Sequence, residues 1–462
     1  MTYLFVGLFA LLIGYFVYFD VVLSPDVINN PYNSRQDALA ECIVRGEIQA
    51  ADGSVLAETK VSADGTETRN YPYGNMFAHV VGYSTRGKTG LESLANFHLL
   101  TSNAFLGERI ANEIKEEKNI GDNVVATLNV TLQQVAYQAL GNYRGAVVVL
   151  EPATGKVLAM VSKPDYDPNQ INQNWERLTA GAESESVLYN RATQGLYAPG
   201  STFKIVTLLE YMRENGNYEN FHFDCTSNLT EGNYTINCYG KKAHGEEDLK
   251  KAFAKSCNTA FASMGLSLDQ VSFSETCQSL LFNSKLPIEL PYSQSSFALT
   301  SDATPAQQMM TAIGQGETVV SPMHMAMLVS GIANDGVLME PYFIDRIENY
   351  VGDKVKTYMP SVADTLMTEE EAAVLTEYME AVVTDGTGSK LNDLGFPVAG
   401  KTGTAEYSSD KNKSHAWFAG FSNTGESDIA VCVLVEEAGS GSEFAVPIAR
   451  QIFAAWKNQS GN

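Results

Sequence analysis

The sequence predicts an α+β protein: one mostly antiparallel sheet packed by helices, standing on a small N-terminal domain behind a single membrane helix. Three observations predict it. Two continuous apolar runs, Gly145-Ala146-Val147-Val148-Val149-Leu150 and Val157-Leu158-Ala159-Met160-Val161, flank the turn residues Glu151-Pro152-Ala153-Thr154-Gly155-Lys156 and read as a hairpin. Three more strand candidates, at residues 396–400, 415–421 and 428–435, lie near the other end of the chain, separated by polar loops. Between these two groups the apolar spacing is helical, so the sheet must be completed from both ends of one long domain.

The elements follow in order. Residues 1–19 carry no charged side chain, and the apolar run from Tyr3 to Phe19 nearly reaches the ~20 residues that span hydrocarbon. No small-x-small cleavage site precedes Ser24-Pro25 and the run is long for a signal peptide, so residues 1–23 are expected to be a retained single-pass anchor. No Lys or Arg flanks it on the N-terminal side, which leaves its orientation unset by charge. Residues 24–120 form a pedestal. It begins with the polar exit Asn29-Asn30-Pro31-Tyr32-Asn33-Ser34-Arg35, then a strand, an Asp52-Gly53 turn and a second strand over 45–57. A further turn is expected at 62–68, a strand at 77–83 and a helix at 91–100. Residues 121–458 form the main domain, with a strand at 124–128, a helix at 132–140 and a closing helix at 444–456 that holds Pro447 in its first turn.

Composition excludes several function classes. With 462 residues, 44% apolar and 18% charged, the chain is globular and exceeds one core. A net charge of -23 repels nucleic acid, and no nucleic-acid partner is expected. The six cysteines show no C-x-x-C, and no histidine has a second at ligand spacing, so no metal centre and no cofactor are expected. Cys225 and Cys238 are read either as a staple across a short hairpin or as a pair of reduced, buried thiols.

Chemistry concentrates in three short motifs. Ser201-Thr202-Phe203-Lys204 follows Tyr197-Ala198-Pro199-Gly200 and opens an apolar helical run, which places a hydroxyl and an amine on one side of a first turn. The free N–H groups of a helix start suit an oxygen that becomes negative during acyl transfer. Ser256-Cys257-Asn258 sits between two helical stretches, and Lys401-Thr402-Gly403-Thr404 ends a strand-like run. Each motif alone is cheap. Ser408-Ser409-Asp410-Lys411, Ser460-Gly461-Asn462 and Lys88-Thr89-Gly90 are second copies, but they are out of order or in polar tails. A phosphate-loop pattern at Gly82-Tyr83-Ser84-Thr85-Arg86-Gly87-Lys88-Thr89 lacks the strand-helix alternation that would build its parallel sheet and is read as coincidence.

The ordered set S-x-x-K, S-x-N and K-T-G-T resembles that of penicillin-binding proteins and serine β-lactamases. Residues 121–456 look like the transpeptidase domain of the class B penicillin-binding proteins, and the short pedestal resembles the penicillin-binding protein A type. Further likeness lies in Lys163-Pro164-Asp165-Tyr166-Asp167-Pro168-Asn169, Ile313-Gly314-Gln315-Gly316, His415-Ala416-Trp417-Phe418-Ala419-Gly420, Arg45-Gly46, Tyr71-Pro72, Ala78-His79-Val80-Val81-Gly82 and Gly90-Leu91-Glu92. The resemblance implies a penicillin-binding transpeptidase fold with a helical subdomain, peptidoglycan stem peptides and β-lactams as ligands, and an extracytoplasmic catalytic domain. It also implies a wall-synthesis partner with glycosyltransferase activity. D,D-carboxypeptidase activity and a catalytically quiet β-lactam sensor or scaffold are the alternatives. No E-x-x-L-N lies between Asn258 and Lys401, so a deacylating glutamate of the class A β-lactamase kind is not expected.

Roles follow residue by residue. Ser201 is the expected nucleophile and Lys204 its base, made neutral by burial and by Lys401 as a neighbouring cation. Ser256 relays the proton and Asn258 holds the substrate amide and Lys204. Thr402, Thr404 and Lys401 receive the terminal carboxylate, while Gly403 lets the strand approach it. The resemblance adds the N–H groups of Ser201 and Thr404 as an oxyanion hole.

Overall fold

Strands whose two faces are both covered need apolar residues at every position, and the run Gly145–Leu150 supplies them: all six residues are buried. In the computed structural model, which describes residues 2–19, 40–180, 186–406, 414–425 and 427–460, this run lies inside a five-stranded antiparallel sheet. The expected polar exit at 29–35, the second S-x-x-K at 408–411 and residues 20–23 of the anchor lie outside the described residues.

Two units make up the chain. The larger comprises Thr127–Tyr166, Arg177–Phe343 and Met359–Asn462. In chain order its main elements are α1 (Val130–Leu140), β1 (Gly145–Leu150), β2 (Val157–Lys163), α2 (Lys204–Glu214), α3 (Leu249–Ala254), α4 (Asn258–Ser267), α5 (Pro322–Ala333), α6 (Glu369–Thr384), β3 (Val398–Glu406), β4 (Ser414–Ser422), β5 (Ala430–Val435) and α7 (Gly441–Ser460). The sheet order is β3-β4-β5-β1-β2, so β1 of the early hairpin pairs with β5 near the end of the chain.

Strand alternation divides the core. Val147, Val149, Ala416, Phe418, Val431 and Val433 share one cluster with Leu132, Ala136 and Leu140 of α1 and Ile448, Ile452 and Phe453 of α7. Helix α5 packs on β1, β4 and β5 and is itself buried along nearly its whole length. Burying a Leu, Ile or Phe contributes about 1.5–3 kcal/mol per side chain. Ser321 caps α5 by accepting from the His324 N–H at 3.2 Å, with Pro322 in the first position. The closing helix starts at Gly441, earlier than expected, so Pro447 lies inside it instead of in its first turn.

The smaller unit comprises Met1–Ala126 together with Asp167–Glu176 and Ile344–Tyr358. It contains a six-stranded sheet in the order Lys354–Thr357, Ile344–Glu348, Asn123–Ala126, Ile48–Gln49, Val55–Val61 and Glu67–Asn70. Fully buried Glu92 ties it together by accepting from Arg45 Nε at 2.6 Å and Arg69 Nε at 2.7 Å, with the Tyr71 hydroxyl 3.2 Å away. Arg45, Tyr71 and Glu92 lie in the pedestal segments that carry the resemblance, and Arg69 joins them only in the fold. Gly46 belongs with them, because a Cβ there would lie 2.0 Å from the Asp122 carbonyl.

One pedestal expectation needs correction. The strand expected at 77–83 is a 3-10 turn, Gly74–Phe77, followed by the short helix Ala78–Val81. With a helix before Gly82, the phosphate-loop pattern lacks the strand it requires. The anchor is helical over Thr2–Tyr18, and no helix among the described residues is long and apolar enough to cross a membrane.

Candidate active site

The loop before Ser201 is bent by its glycine. Gly200 adopts φ +54, and a Cβ there would come within 2.7 Å of the Thr404 carbonyl. Its N–H donates to the Gly314 carbonyl at 2.8 Å. Ser201 then lies in a 3-10 turn, Gly200–Phe203, and the α-helix proper begins at Lys204. The serine was expected to open that helix; instead it sits inside the 3-10 turn, whose start has no side-chain cap. Phe203, fully buried, anchors the turn among the rings of Phe273, Phe282 and Phe297. Ser201 itself is half-buried.

The S-x-N segment links α3 to α4. Ser256 has φ +57, an αL conformation that reverses the chain, with its N–H donating to Phe253 at 3.0 Å. The turn presents the Ser256 hydroxyl and the Asn258 amide to Lys204. The Lys204 amine lies 2.8 Å from the Ser256 carbonyl, 3.3 Å from Ser256 Oγ and 2.8 Å from Asn258 Oδ1. Those three acceptors match the three N–H bonds of an ammonium, and among the described residues none of its hydrogen bonds goes to Ser201. Lys401 on β3 donates to the same Ser256 Oγ at 2.8 Å. Both lysines are fully buried.

Burial lowers the Lys204 amine to about 8, although Cys257, Cys238 and Glu247 act in the opposite direction. Lys401 lies well below its ordinary value, first through burial and second through the Lys204 charge. Lys401 was expected to be the cation that depresses Lys204. Desolvation is the largest cause at both amines instead, and at Lys401 the Lys204 charge adds to it.

The K-T-G-T strand is the outer strand of the sheet, packed against the Ser201 turn. At Gly403 a Cβ would meet the Pro199 carbonyl at 2.9 Å and Thr202 Cγ2 at 3.0 Å. The glycine therefore allows strand and serine turn to pack directly on each other. Thr402 is buried, with its hydroxyl 2.6 Å from that of Thr387. Thr404 is half-buried and offers its carbonyl to Gln315 Nε2 at 3.2 Å. A strand residue's N–H and C=O point to the same side, so the Thr404 N–H faces away from β4 as well.

Sequence reasoning missed the residues that hold the serine loop. Trp417 Nε1 on β4 donates to the Ala198 carbonyl at 3.1 Å. The Tyr197 hydroxyl donates to Glu436 Oε1 at 2.7 Å, and Arg191 Nε donates to the same oxygen at 2.8 Å. These interactions raise the Tyr197 phenol far above its ordinary value, burial being the largest cause. Gln315 and Trp417 lie in two of the segments that carry the family resemblance, which was the available signal; nothing in the sequence marked Glu436.

Residues without metal-ligand spacing in the sequence nevertheless come together in the fold. Cys225, Cys238, His244 and Cys257 converge, their ligand atoms all within 4.8 Å of one another. Cys225 and Cys238 are free thiols with sulfurs 3.6 Å apart, so no disulfide staples that hairpin.

Residues 145–454 match the family described as the penicillin binding protein transpeptidase domain, and residues 45–124 match the penicillin binding protein A dimerisation domain. The chain is 33% identical over 441 residues to the peptidoglycan D,D-transpeptidase PbpA of Mycolicibacterium smegmatis, covering 89% of this chain and 88% of that protein. Among solved structures it resembles the D,D-transpeptidase domain of a peptidoglycan glycosyltransferase from Eggerthella lenta, with TM-score 0.81 and 30% identity over 90% of this chain and 99% of the other. The ceftriaxone acyl-enzyme complex of penicillin-binding protein A from M. tuberculosis gives TM-score 0.80 and 29% identity, covering 91% and 99%.

Proposed function

The chain belongs to the penicillin-binding protein transpeptidase family, and on that footing we propose that it is a peptidoglycan D,D-transpeptidase acting through an acyl-enzyme on Ser201. One observation carries the assignment of roles: two buried amines, Lys204 and Lys401, meet at the single hydroxyl of Ser256 beside the Ser201 turn. Such a pocket disfavours charge, and an amine that has lost its proton is the base a serine nucleophile needs.

Ser201 Oγ attacks the carbonyl carbon between the two terminal D-alanines of a stem peptide while its proton passes to the neutral Lys204 amine. The C–N bond then breaks as Ser256, fed by the lysines, delivers a proton to the departing D-alanine nitrogen. An ester stays on Ser201, and an amine of a second stem resolves it into a cross-link with return of the serine proton. Asn258 Nδ2 donates to the Asn237 carbonyl at 3.0 Å, which fixes the amide that orients Lys204. The N–H groups of Ser201 and Thr404 serve the oxyanion, each such donor being worth about 3 kcal/mol. The Thr404 hydroxyl, Thr402 and Lys401 take the terminal carboxylate. β-Lactams present a strained amide to the same serine and are held as long-lived esters.

Residues 1–23 anchor the protein as a single pass, with both units outside the cytoplasm and a separate glycosyltransferase as partner. What supports the anchor is a helix without charged residues whose large apolar side chains, Tyr3 to Tyr18, are exposed.

Fluorescent penicillin tests the chemistry: wild type should be labelled covalently and Ser201→Ala should lose the label, whereas a labelled Ser201→Ala moves the nucleophile elsewhere. Product analysis on a stem peptide with an amine acceptor then separates cross-linking from hydrolysis. For the anchor, protease added to intact cells should digest the domain, and full protection would place it inside.

A further inference from the structure

We propose that Cys225, Cys238, His244 and Cys257 form a closed Cys3His site for a zinc-class divalent cation, which fixes the Ser256–Asn258 segment of the active site. Distances argue for it first. Tetrahedral zinc with bonds of about 2.3 Å to sulfur and 2.0 Å to nitrogen separates two sulfurs by about 3.8 Å, and a sulfur from a nitrogen by about 3.5 Å. The structure has Cys225 Sγ to Cys238 Sγ at 3.6 Å, Cys238 Sγ to Cys257 Sγ at 3.7 Å and Cys225 Sγ to His244 Nδ1 at 3.4 Å. A disulfide needs about 2.05 Å between sulfurs.

The surroundings are those of a metal shell. The Thr259 hydroxyl donates to Cys225 Sγ at 3.2 Å and stands 3.3 Å from Cys257 Sγ and 3.5 Å from Cys238 Sγ, so one fully buried group addresses all three sulfurs. The Ala260 N–H points at Cys257 Sγ from 3.5 Å. Glu247 supplies an independent sign. It is 1% exposed, Oε1 lies 3.8 Å from His244 Nδ1, and the carboxylate sits against the Cys257 thiol. A carboxylate buried among thiols and an imidazole is stabilised when that cluster holds a cation.

Backbone architecture brings the ligands together. Cys225 ends the strand His222–Cys225, which pairs with Gly245–Asp248 just after His244. Cys238 follows the strand Tyr234–Asn237, and Cys257 caps α4. Four protein ligands complete a tetrahedron and leave no open position, the pattern of a structural site. Its position gives it a second consequence, because Cys257 separates the two residues that hold the Lys204 amine.

The test uses the full chain purified in detergent from zinc-supplemented cells without chelators. Elemental analysis should find about one zinc per chain. Exchange for Co(II) should produce thiolate-to-metal charge transfer and the red-region bands of a tetrahedral centre. Cys225→Ser and Cys238→Ser should lose the metal, while Cys42→Ala, on the smaller unit, should keep it. If the serine variants do not fold, wild type stripped with a mercurial and a chelator, then refilled with Co(II), gives the same reading. Stripping should also lower the melting temperature and slow penicillin labelling while the circular dichroism is unchanged. Wild type without bound metal, a Co(II) form lacking the thiolate band, or a Cys225–Cys238 disulfide in the intact mass would each overturn the site. Ser201→Ala should still bind zinc, so failure here and failure of the transpeptidase reading are distinguishable.

Discussion

Two lysines sharing one serine hydroxyl form an unusual pairing, since each ammonium repels the other and both have left water. Lys204 holds three acceptors, and removing it leaves Ser256 and Asn258 without that partner as well as removing the base. Lys204→Ala should therefore cut the rate of penicillin acylation by roughly 10²–10⁴, the range of a lost general base, while reversible binding of the drug changes little. Stopped-flow acylation kinetics measure both terms, and a wild-type rate in the variant would remove Lys204 from the mechanism. The spacing of serine and lysine, and the order of the three motifs, were legible in the sequence because they are local patterns. That desolvation is the main cause of depression at both amines was not, because it depends on burial beside Phe253 and Phe261, which lie near Lys401 and Lys204.

Among the elements, the central strands β1 and β5 could be read because each is covered on both faces and so is apolar throughout, whereas ends and short pieces could not. Residues 77–83 hold buried Val80 and Val81 in an apolar run too short to distinguish strand from helix by period. The metal cluster escaped because its ligands come from two strand ends, a loop and a helix cap, a set with no fixed spacing. The Arg45–Glu92–Arg69 triad illustrates the reverse case, where Arg45 and Glu92, flagged only by resemblance, acquire a reason. Glu92→Gln leaves two largely buried guanidiniums facing a neutral amide and should destabilise the chain by about 3–5 kcal/mol. Urea unfolding of the full chain measures it, and a midpoint within error of wild type would contradict the role assigned to this triad.

For the molecule as a whole, acid should act in part through a buried histidine outside the catalytic set. His324 is buried in α5 with Nε2 2.7 Å from the Leu280 carbonyl, and burial lowers it from 6.5 to about 4. Above about pH 6.5 it is neutral in both folded and unfolded chains; between about 6.5 and 4 only the unfolded chain gains the proton, so stability falls as pH falls, by about 3 kcal/mol across that window. His324→Gln should flatten that part of the urea midpoint's pH profile, and an unchanged slope would assign the effect to other groups. The order of strands in the large sheet has a kinetic consequence as well. Gly145 pairs with Val435, and the strand bearing Lys401 joins the sheet only through β4 and β5. A ribosome must therefore deliver nearly the whole polypeptide before the reactive serine acquires its surroundings. Nascent or prematurely terminated chains carry an inert hydroxyl, and folding of this unit is slow, dominated by pairing between distant segments.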